Sequence, residues 1–120
     1  MEAAHDAEIL RAGPLEVRPA ESLAQAGGRP QTLSVREYSL LVELARRPGR
    51  IVSRDSLYEL VWRDELRRGD RSVDVYVHKL RQKLEVALPE WGFIHTHVGF
   101  GYRFSSELSH AFHTLTTASQ

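Results

Sequence analysis

Arg71, Val75, His78, Lys79 and Gln82 fall at helical spacing, which puts all five on one face of a helix. Four of them carry hydrogen-bond donors, and the fifth is a lone aliphatic. Such donors match the acceptor edges of bases in a duplex groove, and the aliphatic suits a thymine methyl. Arg81 and Lys83 flank the face, where cations would meet phosphate. Arg103 follows a Gly-x-Gly turn from which it can reach a backbone or a minor groove. A solvated helix surface also accounts for the charges, though less readily for an exposed Val75 among them.

A second constellation is His95-x-His97, two imidazoles on one face of a strand, with His110 and His113 further along. Zinc needs three or four converging ligands. No carboxylate cluster completes a site here, so binding without catalysis, metal or cofactor is expected, and a His-ligated metal site is the enzymatic alternative.

These groups sit in a chain of 120 residues, one domain by length, with 16 basic and 16 acidic side chains and no cysteine. The missing cysteine excludes disulfides, thiol nucleophiles and thiolate metal sites. No run reaches the roughly 18 apolar residues of a membrane span, and the first residues are too acidic for a signal peptide, so a cytoplasmic protein is expected. The zero net charge is uneven. Residues 67–103 hold 7 basic against 4 acidic side chains, and the acidic surplus lies before them. Such asymmetry points to an anionic partner for one region.

The elements that must position the basic face are partly legible. Residues 1–13 read as a tail or linker, residues 14–105 as the domain and residues 106–120 as a second tail. In that second tail Leu108, Phe112 and Leu115 could form one face of a short helix. Leu15–Arg18 alternates like a strand, and short segments around 22–26 and 31–33 fit a small antiparallel meander, with a helical turn at 23–26 as the other option. Ser34-Val35-Arg36-Glu37 is a capping box, with Leu33 and Tyr38 placed as a hydrophobic staple. The helix it starts buries Tyr38, Leu41, Val42 and Ala45 and stops at Pro48-Gly49. A second helix follows Ser53 as N-cap, with Leu57, Leu60 and Val61 inward, and closes at Trp62. A third starts near Asp70 and runs to about Ala87, burying Val73, Val77, Leu80 and Leu84. Two β-rich runs around Gly99-Phe100-Gly101 then make a hairpin. Three helices and a terminal hairpin are the parts of a winged helix-turn-helix.

In this order and spacing the chain resembles the DNA-binding effector domains of OmpR/PhoB-type response regulators. The resemblance is carried by Arg47-Pro48-Gly49-Arg50-Ile51-Val52-Ser53-Arg54, Val61-Trp62, the run Arg71 to Leu84, Ile94-His95-Thr96 and Gly99-Phe100-Gly101-Tyr102-Arg103-Phe104, and it covers residues 15–105. It implies an α+β fold: an N-terminal four-stranded antiparallel sheet, three α-helices and a C-terminal β-hairpin wing. It further implies base reading by Ser72, Val75, His78 and Lys79 on the third helix, and backbone or minor-groove contact from Arg71, Tyr76, Arg81 and Arg103. Such domains bind double-stranded DNA as head-to-tail dimers on direct repeats, and the loop between their second and third helices touches RNA polymerase. Here that loop is Arg63-Asp64-Glu65-Leu66-Arg67-Arg68-Gly69, whose mixed charges and exposed Leu66 fit either a protein contact or a plain solvated connection.

The chain departs from the family pattern at Val98, where a basic residue is usual, and at His78 and Lys79, where Arg is frequent. Lys79 lacks the planar fork that grips guanine. The resemblance also implies a phospho-acceptor receiver domain of about 120 residues preceding the effector, so this chain is expected to be an excised effector domain, with a stand-alone factor as the alternative. A winged helix used for protein or RNA contacts is the alternative from another class.

Overall fold

The computed structural model describes residues 8–109. Strands β1 (Leu10–Ala12), β2 (Leu15–Arg18), β3 (Leu23–Ala26) and β4 (Arg29–Pro30) form an antiparallel sheet in that order. Helices α1 (Val35–Ala45), α2 (Arg54–Trp62) and α3 (Ser72–Ala87) follow, with β5 (Ile51–Val52) between the first two. The hairpin of β6 (Trp91–His97) and β7 (Gly101–Leu108) closes the fold, and β5 pairs with β7 in a second sheet ordered β5-β7-β6. Sheet, three helices and wing stand in the expected order.

Local chemistry explains where α1 begins. The Glu37 amide donates to Ser34 Oγ at 3.2 Å and the Ser34 amide to Glu37 Oε1 at 2.9 Å, the reciprocal bonds of a capping box. The Tyr38 hydroxyl lies 3.1 Å from the Arg18 carbonyl oxygen and 3.3 Å from that of Leu23, which ties α1 to β2 and β3. Beyond the predicted stripe, Leu40 and Leu44 are also fully buried, because α1 packs against α2, α3 and strands of both sheets.

One apolar cluster joins all layers: Leu15 and Val17 from β2, Leu40, Leu41 and Leu44 from α1, Leu57 from α2, Val73, Val77, Leu80 and Leu84 from α3, and Phe93 and Phe104 from the wing. Full burial of each leucine contributes about 1.5–3 kcal/mol. The four buried positions of α3 set its rotation, so its opposite face must point outward.

Several boundaries need correction. Leu10–Ala12, assigned to a tail, is an edge strand whose residues pair with Val17, Glu16 and Leu15. Arg11 reaches Glu16 at 3.3 Å, and Trp91 packs so closely on Gly13, in the β1–β2 turn, that a Cβ there would lie 2.9 Å from its ring. At the other end β7 continues to Leu108, beyond the expected limit at 105, because β6 supplies partners as far as Trp91. The Leu23–Ala26 segment is a strand, and the helical turn is a 3-10 turn at Pro19–Glu21. Phe112 and Leu115 of the second tail, where a short helix is the other option, lie outside the described residues, as do His110 and His113.

Candidate nucleic-acid interface

The start of α3 is one residue later than expected. Arg71, not Asp70, occupies the N-cap position, with no side-chain capping bond of its own. Asp70 still serves the helix end, since its Oδ1 accepts the Ser72 amide at 2.8 Å. Those bonds from Ser72 hold the Asp70 carboxyl below its ordinary pKa.

From that start the two faces of α3 separate cleanly. Val73, Val77, Leu80 and Leu84 are buried, while Arg71, Val75, His78, Lys79 and Gln82 are exposed, Val75 at 46%. Ser72 and Tyr76 are half-buried between them. Tyr76 meets Trp62 edge-on with centroids 5.8 Å apart, and Trp62 stacks on Tyr58 at 4.8 Å. The Lys79 ammonium lies 5.0 Å from the Tyr76 ring centre, so a cation–π contact steers its chain along the outer face. The sequence did not reveal this aromatic ladder, because Tyr58 and Trp62 belong to another helix.

Asp74 joins three elements. Its carboxylate accepts the Tyr102 hydroxyl from β7, Arg54 of α2 at 2.8 Å and Arg71 at 3.3 Å. Burial pushes the Asp74 carboxyl upward, but these donors outweigh it and hold the group below its ordinary pKa. Tyr102 responds oppositely: burial, then the adjacent carboxylate, push its phenol up to about 12.

The two cations expected to flank the face differ in placement. Arg81 is half-buried, its Nη2 donating to Thr96 Oγ1 at 2.9 Å and its guanidinium 5.9 Å from the Tyr102 ring centre. Its Nε is buried without a hydrogen-bond partner. Lys83 is half-exposed yet paired: its ammonium lies 2.7 Å from Glu37 Oε1, a carboxylate only 3% exposed, at the α1–α3 junction. Burial raises the Glu37 pKa, but Lys83 and the Ser34 amide outweigh it and leave the pKa below the ordinary value.

On the wing, Arg103 is half-buried, donating from Nε to His97 Nε2 at 2.9 Å and lying 3.3 Å from Glu107 through Nη1. That bond needs His97 Nε2 unprotonated. His95 Nε2 lies 2.9 Å from the Ser105 carbonyl. Among the described residues no group of three or more His, Asp or Glu side chains is placed to hold a metal. The wing tip carries Val98 at 88% and Phe100 at 73% exposure. It lines, with Ser53, Arg54, Arg71, Asp74 and Tyr102, a cleft of about 690 Å³ at the N-terminal ends of α2 and α3.

The loop between α2 and α3 exposes Arg63, Asp64, Glu65, Arg67 and Arg68, with Arg63 in the left-handed region at φ 61°. Leu66, expected to be exposed, is half-buried. A short connection folds its one aliphatic back while the charges stay in water.

Residues 28–104 match the family model described as transcriptional regulatory protein, C terminal. The chain is 35% identical over 94 residues to the transcriptional regulatory protein CreB of Escherichia coli strain K12, covering 78% of this chain and 41% of that protein. The chain thus spans about two fifths of the length of the curated relatives it matches. In structure it is similar to the DNA-binding domain of Klebsiella pneumoniae RstA in complex with the RstA box, with TM-score 0.74, 33% identity and coverage of 82% of this chain and 97% of that one. The DNA-binding domain of CpxR from E. coli matches with TM-score 0.75 and 29% identity, over 83% and 98% of the two chains.

Proposed function

This chain belongs to the family of C-terminal domains of OmpR/PhoB-type transcriptional regulatory proteins, and on that premise we propose that it binds double-stranded DNA in a sequence-specific manner to regulate transcription. The observation that carries this reading is the outward face of α3: donors at His78, Lys79 and Gln82 around an exposed Val75, held by four buried side chains behind them. A helix of this kind fits the major groove, where those groups meet base edges.

Roles follow from exposure and partners. Val75, His78 and Lys79 read bases, with Ser72 at the helix start approaching the same groove. Arg71 and Arg54 face phosphate from the N-terminal ends of two helices, where the backbone dipoles also favour anions. Tyr76 supports Lys79 and offers its hydroxyl to the backbone. Arg81 and Arg103, both held by neighbours on the wing, contribute phosphate contacts and fix the spacing between helix and hairpin.

Two partner roles go with this reading. Pairs of the domain bind direct repeats head to tail, and the charged loop 63–68 meets RNA polymerase. A phospho-acceptor receiver domain controls the effector in the whole protein. Selection of duplexes from a random pool, followed by salt titration and sedimentation of the complex, tests the central reading. Enrichment of one repeated motif, with log affinity falling linearly in log salt, is expected. Equal retention of all sequences, or preference for RNA, would overturn it.

A further inference from the structure

We propose that the wing of this domain enters the minor groove with an apolar edge, Phe100 and Val98, rather than with a cation. The inference rests on the DNA-binding reading above and deepens it.

The turn between β6 and β7 presents Val98 and Phe100 at 88% and 73% exposure. Neither side chain contributes to the core, so folding does not explain them. No charged residue stands between His97 and Arg103 in sequence. Arg103 is drawn back along the hairpin by His97 and Glu107. The tip therefore has no cation of its own to offer.

Its presentation is rigid. The Phe100 amide donates to the His97 carbonyl at 2.8 Å, closing the turn. At its base, Gly101 (φ 143°) passes so close to β5 that a Cβ would lie 2.1 Å from the Val52 carbonyl oxygen. Only glycine permits that approach, and it locks the hairpin root against the body of the domain.

The surroundings select the occupant. The tip lines one cleft with Arg54 and Arg71 at the N-terminal ends of α2 and α3. An apolar projection beside cations is complementary to a groove whose walls are deoxyribose and whose rims are phosphate. Apolar side chains inserted there pack on sugars and pry at base steps. Such a contact releases no counterions, so it adds affinity that salt does not erode. It also favours sequences whose steps open easily under the wing.

The test compares the wild-type chain with Phe100→Ala, Val98→Ala and Phe100→Arg on the tightest duplex recovered from a random pool. Thermal unfolding is run alongside, and its midpoint should not move because both side chains are exposed. Phe100→Ala is expected to bind about five- to tenfold more weakly, as removal of a buried apolar contact requires, with an unchanged salt slope. Hydroxyl-radical footprinting, which reports on sugar hydrogens, should lose protection at the minor groove beside the α3 site while protection elsewhere persists. Phe100→Arg should steepen the salt slope by about one unit. If Phe100→Ala binds as tightly as wild type with the same footprint, the tip is not on DNA and this inference falls while DNA binding stands. A shallower slope for Phe100→Ala also overturns it. If the wild-type chain retains no duplex, both readings fall.

Discussion

The Tyr102 hydroxyl on β7 donates to Oδ1 of Asp74 on α3, so the wing and the outward-facing helix are joined through one carboxylate. Because the hydroxyl donates, the bond exists only while the phenol keeps its proton. The folded phenol is held up to about 12, so its contribution to stability is complete below the ordinary value of about 10 and is lost as pH rises through the folded value. Tyr102→Phe should cost about 1–2 kcal/mol in urea denaturation at neutral pH. In a spectrophotometric phenolate titration, one of the four tyrosines should ionise near the raised value, and the substitution should remove that step.

The Glu37–Lys83 pair answers to acid instead. With the folded Glu37 pKa depressed, its stabilisation is present above the ordinary glutamate value of about 4.3 and is lost as pH falls through the folded value. Lys83→Met strands a carboxylate that is 3% exposed, and should cost about 2–3 kcal/mol. Glu37→Gln keeps a side chain able to serve the capping box and frees a half-exposed ammonium. Its cost should be smaller, about 1 kcal/mol. Denaturation midpoints measured between neutral and acid pH check both the order and the flattened acid limb of Lys83→Met.

Gly101→Ala should be among the most damaging single changes. The new Cβ would meet the Val52 carbonyl at 2.1 Å in a backbone conformation that alanine avoids. A loss of about 3 kcal/mol or more is expected, read by chemical denaturation and by hydrogen exchange at the β5–β7 pairs. Retention of wild-type stability would mean that β5 and the wing are not in register as described.

Lys79→Ala and Arg81→Ala should separate base reading from backbone contact. Lys79→Ala is expected to cost about 1–3 kcal/mol on the preferred duplex and to relax choice at one base position. Arg81→Ala should weaken all duplexes alike and reduce the salt slope by about one unit. Because Arg81 also holds Thr96, it should in addition lower the unfolding midpoint, which Lys79→Ala should not. Affinity titrations on matched and single-mismatch duplexes provide the comparison.

What could be read in the sequence was local. The Ser34 capping box and the buried and exposed faces of α3 depend on neighbours three or four positions apart, so spacing alone announced them. The pairing of Lys83 with Glu37 is not legible there because the two stand 46 positions apart. The Asp74 junction was missed for the same reason, with Arg54 and Tyr102 lying 20 and 28 positions off. β1 escaped notice because three residues are too few to show a period and become a strand only by pairing with β2. In the candidate interface, the exposed donors were legible and the struts that orient them were not.

Arg54 and Arg71, which face the cleft, share the single carboxylate of Asp74. That carboxylate holds both guanidiniums in a fixed direction while occupying them as a nearby phosphate would. Its one negative charge offsets half of their two positive ones, so this corner of the surface carries a single net positive charge and pulls less strongly at a distance than two unpaired guanidiniums would.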